Sequence, residues 1–318
     1  MDTPGDRNQA SIVVAQLPIG EAVSGPADIE VALESLNQWQ LAWRRFRRHK
    51  LALVGLVIFS AMILLAIFGP IVNPFDPLKI PGAIKPGGDP PSAAHWFGTD
   101  DTGRDVFTMV MNGARISVAV GGVSMMIAGF VGVIVGALAG YVGGWADNLL
   151  MRVVDVFFAV PFLFVILVAA RFFGQGEVIP LILIFGLLSW PLIARLVRAM
   201  FLSLREQEFV QAATAAGVSD LRIAFRHILP NTLGPVIVSM TLIMASNIVL
   251  EAFVSFLNFG IRQDQTSWGN ALSNAQNSLI LGNWWWAFFP GMAIALTVIA
   301  INFIGDGLRD ALDPHSRA

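Results

Sequence analysis

Six stretches of this chain, at residues 51–72, 116–142, 153–170, 178–194, 232–259 and 284–304, are apolar and carry no charge or nearly none. Each can cross about 30 Å of hydrocarbon as a helix or comes close to doing so. A buried helix of a soluble domain can imitate one such run but hardly six. The pattern therefore predicts six membrane-spanning helices. Residues 73–96 break it, because Pro74, Pro77, Pro81, Pro86, Pro90 and Pro91 crowd there with several glycines; that stretch is expected outside the bilayer core.

Between the fourth and fifth runs lies a polar segment of a different kind, beginning at Glu206-Gln207-Glu208 and ending at His227-Ile228-Leu229-Pro230-Asn231. Val210 to Ala216 is rich in alanine, the best helix former, and predicts a short helix. Gly217 stands where a helix favours a left-handed residue without a Cβ. Ser219 or Asp220 can cap a second helix, Leu221 to Ile228, before Pro230 opens the next segment. A connector between two spans needs no such helix-turn-helix unless something docks on it.

Composition sharpens the picture. Of 318 residues 55% are hydrophobic and only 13% charged, with mean hydropathy +0.68, far from the quarter charged that soluble domains carry. Trp39, Leu41, Trp43 and Phe46 alternate with Arg44, Arg45, Arg47, Arg48 and Lys50 just before the first run, an amphipathic pattern suited to an anionic cytoplasmic leaflet. An N-in, six-span arrangement places thirteen of the cations from Arg44 onward on the cytoplasmic side and leaves Lys79, Lys85, Arg104, Arg115, Arg171 and Arg262 outside, as the positive-inside rule favours. Both termini and the helix-turn-helix are then cytoplasmic, and Trp284-Trp285-Trp286 suits an aromatic belt at the outer interface.

Candidate chemistry is sparse. There is no cysteine, so no disulfide, thiol nucleophile or Cys-ligated metal site is expected. His49, His95, His227 and His315 have no ligand spacing, so no metal is expected. Lys50, Lys79 and Lys85 are the only lysines and none follows a glycine, which rules out a phosphate-cradling P-loop. No catalytic residues and no nucleic-acid partner are expected. Inside the spans Glu251 stands out, with Asn247 one turn before it. A carboxylate there must face protein or water, as a pathway or gate residue or as an interhelical tie. Gly132, Gly136 and Gly140 repeat at i, i+4 and predict a close-packing helix face.

Gln211-Ala212-Ala213 with Gly217 and Ile228-Leu229-Pro230 resembles the EAA loop of binding-protein-dependent ABC-importer permeases, with Gln211 in place of the name-giving Glu. Phe97-Gly98-Thr99-Asp100-Asp101-Thr102-Gly103-Arg104-Asp105, Gly113-Ala114-Arg115-Ile116-Ser117, Ser267-Trp268-Gly269 and the run Asn302 to Pro314 are similar to the dipeptide/oligopeptide/nickel branch, and the arrangement to its C-type member. Ser255-Phe256-Leu257-Asn258-Phe259-Gly260 matches with Asn258 where glycine is usual. The resemblance implies an all-α integral membrane protein of six transmembrane helices, with the type I ABC importer permease fold and a cytoplasmic coupling helix between spans four and five. Gln211, Ala212, Ala213, Ala216, Gly217 and Asp220 would dock on an ATP-hydrolysing subunit; Asn247 and Glu251 are the pathway or gate candidates. Implied partners are a second permease, two ABC ATPases using ATP and Mg, an extracytoplasmic solute-binding protein and the bilayer of a bacterial or archaeal inner membrane. The cargo it implies is peptide-like: a dipeptide, a longer peptide, glutathione, haem or a metal chelate. A secondary transporter driven by an ion gradient is the alternative.

The expected organisation is a mobile cytoplasmic tail over 1–38, an interfacial segment 39–50, a first transmembrane helix 51–72 and an extracytoplasmic loop 73–112. A transmembrane core follows over 113–308, with its coupling loop at 203–230, then a cytoplasmic tail 309–318.

Overall fold

The computed structural model describes residues 38–72, 88–172, 177–262, 264–276 and 282–313. Residues 1–37 of the tail expected over 1–38, most of the Pro-rich stretch with Lys79 and Lys85, and residues 314–318 lie outside them. Among the described residues the regular elements are all helical. Among the described residues five helices are long and apolar enough to cross a membrane, or six if one bent pair of helices counts as a single span.

The chain enters through α1 (Gln38–Phe46) and turns at Arg47–His49 into α2 (Lys50–Val72). Ala42 and Phe46 of α1 bury against Ala311 and Leu308 near the far end of the chain. The His49 ring nitrogen Nδ1 accepts from the Ala52 amide at 3.1 Å, capping α2. Pro70 has no N–H, so the Ala66 carbonyl one turn back loses its helical partner. Arg115 replaces it: Nε donates to Ala66 O at 2.5 Å and Nη2 to Ile67 O at 3.0 Å.

Next comes α3 (Val106–Val142), which begins within the stretch expected as loop 73–112 because Asp105 caps it there. It packs along α6 (Val178–Arg205) and α9 (Leu229–Phe256). Gly132, Gly136 and Gly140 do form the packing face. A Cβ on Gly132 would lie 2.5 Å from Ile193 Cβ, and one on Gly136 2.5 Å from the Ala194 carbonyl. On Gly140 it would lie 2.6 Å from Phe201 Cβ. Opposite this face, Met126, Phe130, Ile134 and Leu138 are exposed.

The third span departs from the single run expected over 153–170. It is two helices, α4 (Gly144–Ala159) and α5 (Phe162–Phe172), bent by 81°. Pro161 accounts for the break: it forces Val160 out of the helical region, to φ −91° and ψ 132°. Arg198 of α6 grips Asp147 of α4 in a bidentate pair, with Nη2–Oδ2 at 2.6 Å.

A second departure lies after the polar loop. The helix expected to stop before Pro230 does not: α8 (Asp220–Ile223), a π turn at Ala224–Ile228 and α9 form one continuous rod. The Leu229 amide reaches back five residues to Ala224 O, and this wider turn accommodates a proline that has no N–H to give. The last span, α11 (Trp285–Leu312), likewise runs on through Arg309–Leu312, residues expected in the tail 309–318. Asp313, which precedes Pro314, is extended and ends it. Of the tryptophan cluster only Trp284 is exposed. Trp285 and Trp286 are buried with Val106 and Ala275, and the Trp285 indole donates to Thr99 O at 3.1 Å.

Because a Cβ at Gly136 meets backbone, the site cannot relax by a rotamer change. Gly136→Val is expected to separate α3 from α6 at an overpacking cost of about 1–3 kcal/mol. A lowered melting temperature of the detergent-purified protein would register it, and an unchanged melt would contradict the packing.

Candidate functional site: a bolted loop and two buried polar seams

The polar loop is a rigid device. The helix expected over Val210 to Ala216 is α7 (Glu208–Ala215), with Ala216 as its cap. Gly217 has φ +76°, its amide bonds Thr214 O at 3.0 Å, and the Val218 amide bonds Ala213 O at 3.1 Å. This paired closure with a left-handed glycine is a Schellman motif. Val210 is buried with Val197, Phe201, Ile223 and Ile228, so the loop is rooted in the α6–α9 core. It is also bolted to α3: the Tyr141 hydroxyl donates to Asp220 Oδ1 at 3.0 Å, and Arg205 Nη1 donates to Tyr141 O at 3.0 Å.

Of the six docking candidates, Gln211, Ala212, Ala216, Gly217 and Asp220 are exposed. Ala213 is half-buried and packs inward beside Val218 against the core, so its small side chain serves the loop's own closure. Gln211 Nε2 donates to Glu206 O at 3.1 Å. An ionised glutamate has no donor for that bond, so the Gln for Glu exchange has a local use. Sequence reasoning missed the apolar part of this surface: Phe209, Leu221 and Phe225 are 44%, 72% and 67% exposed around the turn. Their signal was present, as large apolar residues stranded in a polar loop.

Asn247 and Glu251 do not line an opening within this chain. Glu251 of α9 is fully buried. Its Oε2 accepts from the Ser117 hydroxyl at 2.7 Å and its Oε1 from the Ser255 hydroxyl at 2.9 Å. Ser117 Oγ in turn accepts from the Trp268 amide at 3.3 Å, and Ser255 Oγ from the Ile261 amide at 3.1 Å. The carboxylate thus ties α3 to α9 and, through two serines, holds both ends of the connection from Ile261 to α10 (Trp268–Asn274). One turn earlier on α9, Asn247 Nδ2 donates to Ser124 Oγ at 2.9 Å, while Oδ1 faces the Ser189 hydroxyl at 3.4 Å. This second seam joins α3, α6 and α9. Both residues have the geometry of the interhelical tie, the alternative to the gate.

Asn258 explains itself too. Among the described residues it is the one non-glycine at positive φ, 62°, with the Phe259 amide on Val254 O at 3.0 Å. Asparagine is one of the few side chains tolerated at such a C′ position. At the same end, Asp100 Oδ1 accepts from the Thr102 and Arg104 amides at 3.0 and 2.8 Å, and Oδ2 from Arg104 Nε at 2.7 Å. Asp105 caps α3 through Thr108 and pairs with His95 at 2.9 Å. The acidic motif before α3 is a folded box whose buried carboxylates are spent internally.

Comparison with known proteins bears on what this assembly is. The family described as binding-protein-dependent transport system inner membrane component matches residues 132–318. The N-terminal TM domain of oligopeptide transport permease C matches residues 37–86. A dipeptide transport system permease protein of Bacillus subtilis (strain 168) is 40% identical over 283 residues, 89% of this chain and 88% of that protein. An oligopeptide transport system permease protein of the same organism is 39% identical over 299 residues, 93% and 96% of the two chains. One from Haemophilus influenzae is 38% identical over 288 residues, 91% and 92% of the two.

Glu251→Ala strands two buried serine hydroxyls and loosens the amides behind them, a loss of about 1–3 kcal/mol per orphaned group. A large fall in melting temperature and monodisperse yield is expected, with a smaller one for Glu251→Gln, which keeps an acceptor. Wild-type stability with transport alone abolished would restore the gate.

Proposed function

Because the chain belongs to the family of binding-protein-dependent transport system inner membrane components, we propose that it forms one half of a peptide importer's membrane channel, with the α7–α8 turn as the surface on which an ATPase subunit docks. The family supplies the transport role and the inner-membrane location. The names of its relatives, dipeptide and oligopeptide permeases, support a peptide as cargo. A second permease would complete the pathway, two ATPases would sit beneath it, and an extracytoplasmic binding protein would deliver the peptide. The cation bias of the sequence supports a cytoplasmic α7 end.

One observation carries the docking assignment. Phe209, Leu221 and Phe225 project from a turn that is otherwise tied down by Val210, Tyr141 and Arg205. An exposed apolar cluster on a rigid support is how a protein presents a contact surface. Rigidity matters because the loop has to transmit: ATP binding can shift the spans only by the difference in its affinity for two states, and a soft loop would absorb that difference. The chain has no P-loop lysine, so ATP must be hydrolysed elsewhere. An ion-coupled carrier would need its deep carboxylate in the ion path, and the burial of Glu251 between serines argues for the importer instead.

Leu221→Asp and Ala212→Asp each place a charge on the exposed turn without touching the core. Burying an unpaired charge at the contact costs on the order of a few kcal/mol. Co-purification of the ATPase and peptide uptake should fall together, at unchanged membrane level and melting temperature of the permease. Wild-type recruitment in Leu221→Asp would sink the docking assignment. A cysteine at exposed Ser92 should react with an impermeant reagent in intact cells and one at Ser219 only in opened membranes; the reverse would invert the topology.

A further inference from the structure

The break between α4 and α5 is a feature for which the docking surface has no use. It lies deep in the membrane. The Phe157 ring meets Trp190 edge-on, centroids 5.3 Å apart, and Trp190 lies against Gly132, where a Cβ would come 2.8 Å from its carbonyl. Gly132 is ten residues, about 15 Å, from the α3 terminus at Val142 and farther still from Ile116. On the other side of the break, Ile166 is buried with Val120, Leu181 and Phe185. The bend therefore sits well inside the hydrocarbon layer.

It is also uncovered. Phe158, Val160, Phe162 and Phe164 are exposed, and so is Pro161. The last carbonyls of α4 and the first amides of α5 lose their in-helix partners at such an interruption. Non-helical backbone at this depth is tolerated only against protein or a water-filled space, never against lipid. On the cytoplasmic side of the break the same face carries charge: Arg195 Nη2 pairs with Asp155 at 2.7 Å while both side chains remain about half exposed, at 48% and 50%. The Arg195 guanidinium lies 4.1 Å above the Phe158 ring. By contrast, the exposed positions of α3 from Met126 to Leu138, Phe130 and Ile134 among them, are all apolar.

We propose that the α4–α5 break is the part of this chain that touches the transported peptide: an extended, aromatic-flanked backbone segment at mid-membrane, facing the water-filled pathway. Such a surface suits a cargo of varied sequence, because it offers main-chain donors and acceptors to an extended main chain and broad apolar contact to any side chain. The proposal deepens the importer reading and rests on it. It also moves substrate contact away from Asn247 and Glu251, which are committed to the seams.

The chain has no cysteine, so Val160→Cys and Phe130→Cys can each be read alone in the complete transporter reconstituted with cysteine-free partner subunits. Uptake of trialanine by the unlabelled variants tests the importer reading first and separately; the labelling pattern is then read in the same vesicles without ATP. Val160→Cys should react with a charged methanethiosulfonate and Phe130→Cys only with a lipid-soluble maleimide. Trialanine at ten times its half-saturating concentration should slow the Val160→Cys reaction about tenfold. Val160→Cys behaving like Phe130→Cys would put the break against lipid and overturn the proposal. Reaction with no protection by peptide would overturn it too, as would failure of Val160→Cys to react with either reagent, the behaviour of a residue packed against the second permease.

Discussion

A backbone amide or carbonyl left unpaired in hydrocarbon has no water to turn to, and this constraint governs the molecule. Three of its prolines, Pro70, Pro230 and Pro161, make the constraint visible, since each removes a backbone donor at a membrane helix. At Pro70 the freed Ala66 carbonyl is taken by Arg115 from the neighbouring helix. At Pro230 the ladder itself is rewritten, with a π turn carrying the Leu229 amide back to Ala224. At Pro161 neither remedy is used; the helix parts and the opening is left bare. Two of the three repairs preserve a span as a rod, and the third gives up a straight crossing for a corner.

Polar side chains follow the same logic. Glu251 and Asn247 would be costly in a span, yet each is surrounded by serines that are themselves bonded onward to backbone or to another helix. Fully satisfied networks of this kind select one mutual position of three helices, where apolar packing alone would accept several. The glycine face of α3 complements them: it brings α6 to backbone contact distance, and the seams then fix the depth at which the helices meet.

Much of this was legible in the chain. Apolar runs placed five spans because length and lack of charge are dictated by the bilayer and need no tertiary information. Gly217 foretold the turn after α7, since only a residue at ease with positive φ closes that motif, and Gly132, Gly136 and Gly140 foretold a packed face. What failed to show had a common cause. The fate of a proline depends on what stands beside it in space: Pro230 looked like a helix start and lies within a rod, while Pro161 looked like nothing and splits a span. Burial direction was equally hidden. Ala212 and Ala213 are indistinguishable as letters, yet one faces out and the other in. Glu251 left two roles open because Ser117, the partner that makes it a tie between helices, comes from α3, while Ser255 is one turn away on its own helix.

The continuous rod from Asp220 to Phe256 is 37 residues long, about 55 Å at helical rise. With no joint between them, the exposed turn and the Glu251 seam belong to one lever. A tilt of about 10° pivoting at its base would sweep its far tip through roughly 10 Å, comparable to the width of a helix. A stroke too small to notice where Leu221 emerges is thus enlarged where α9 reaches Ser255 and the α10 connection it holds. The π turn, which began as an accommodation to one proline, is what keeps that lever in one piece.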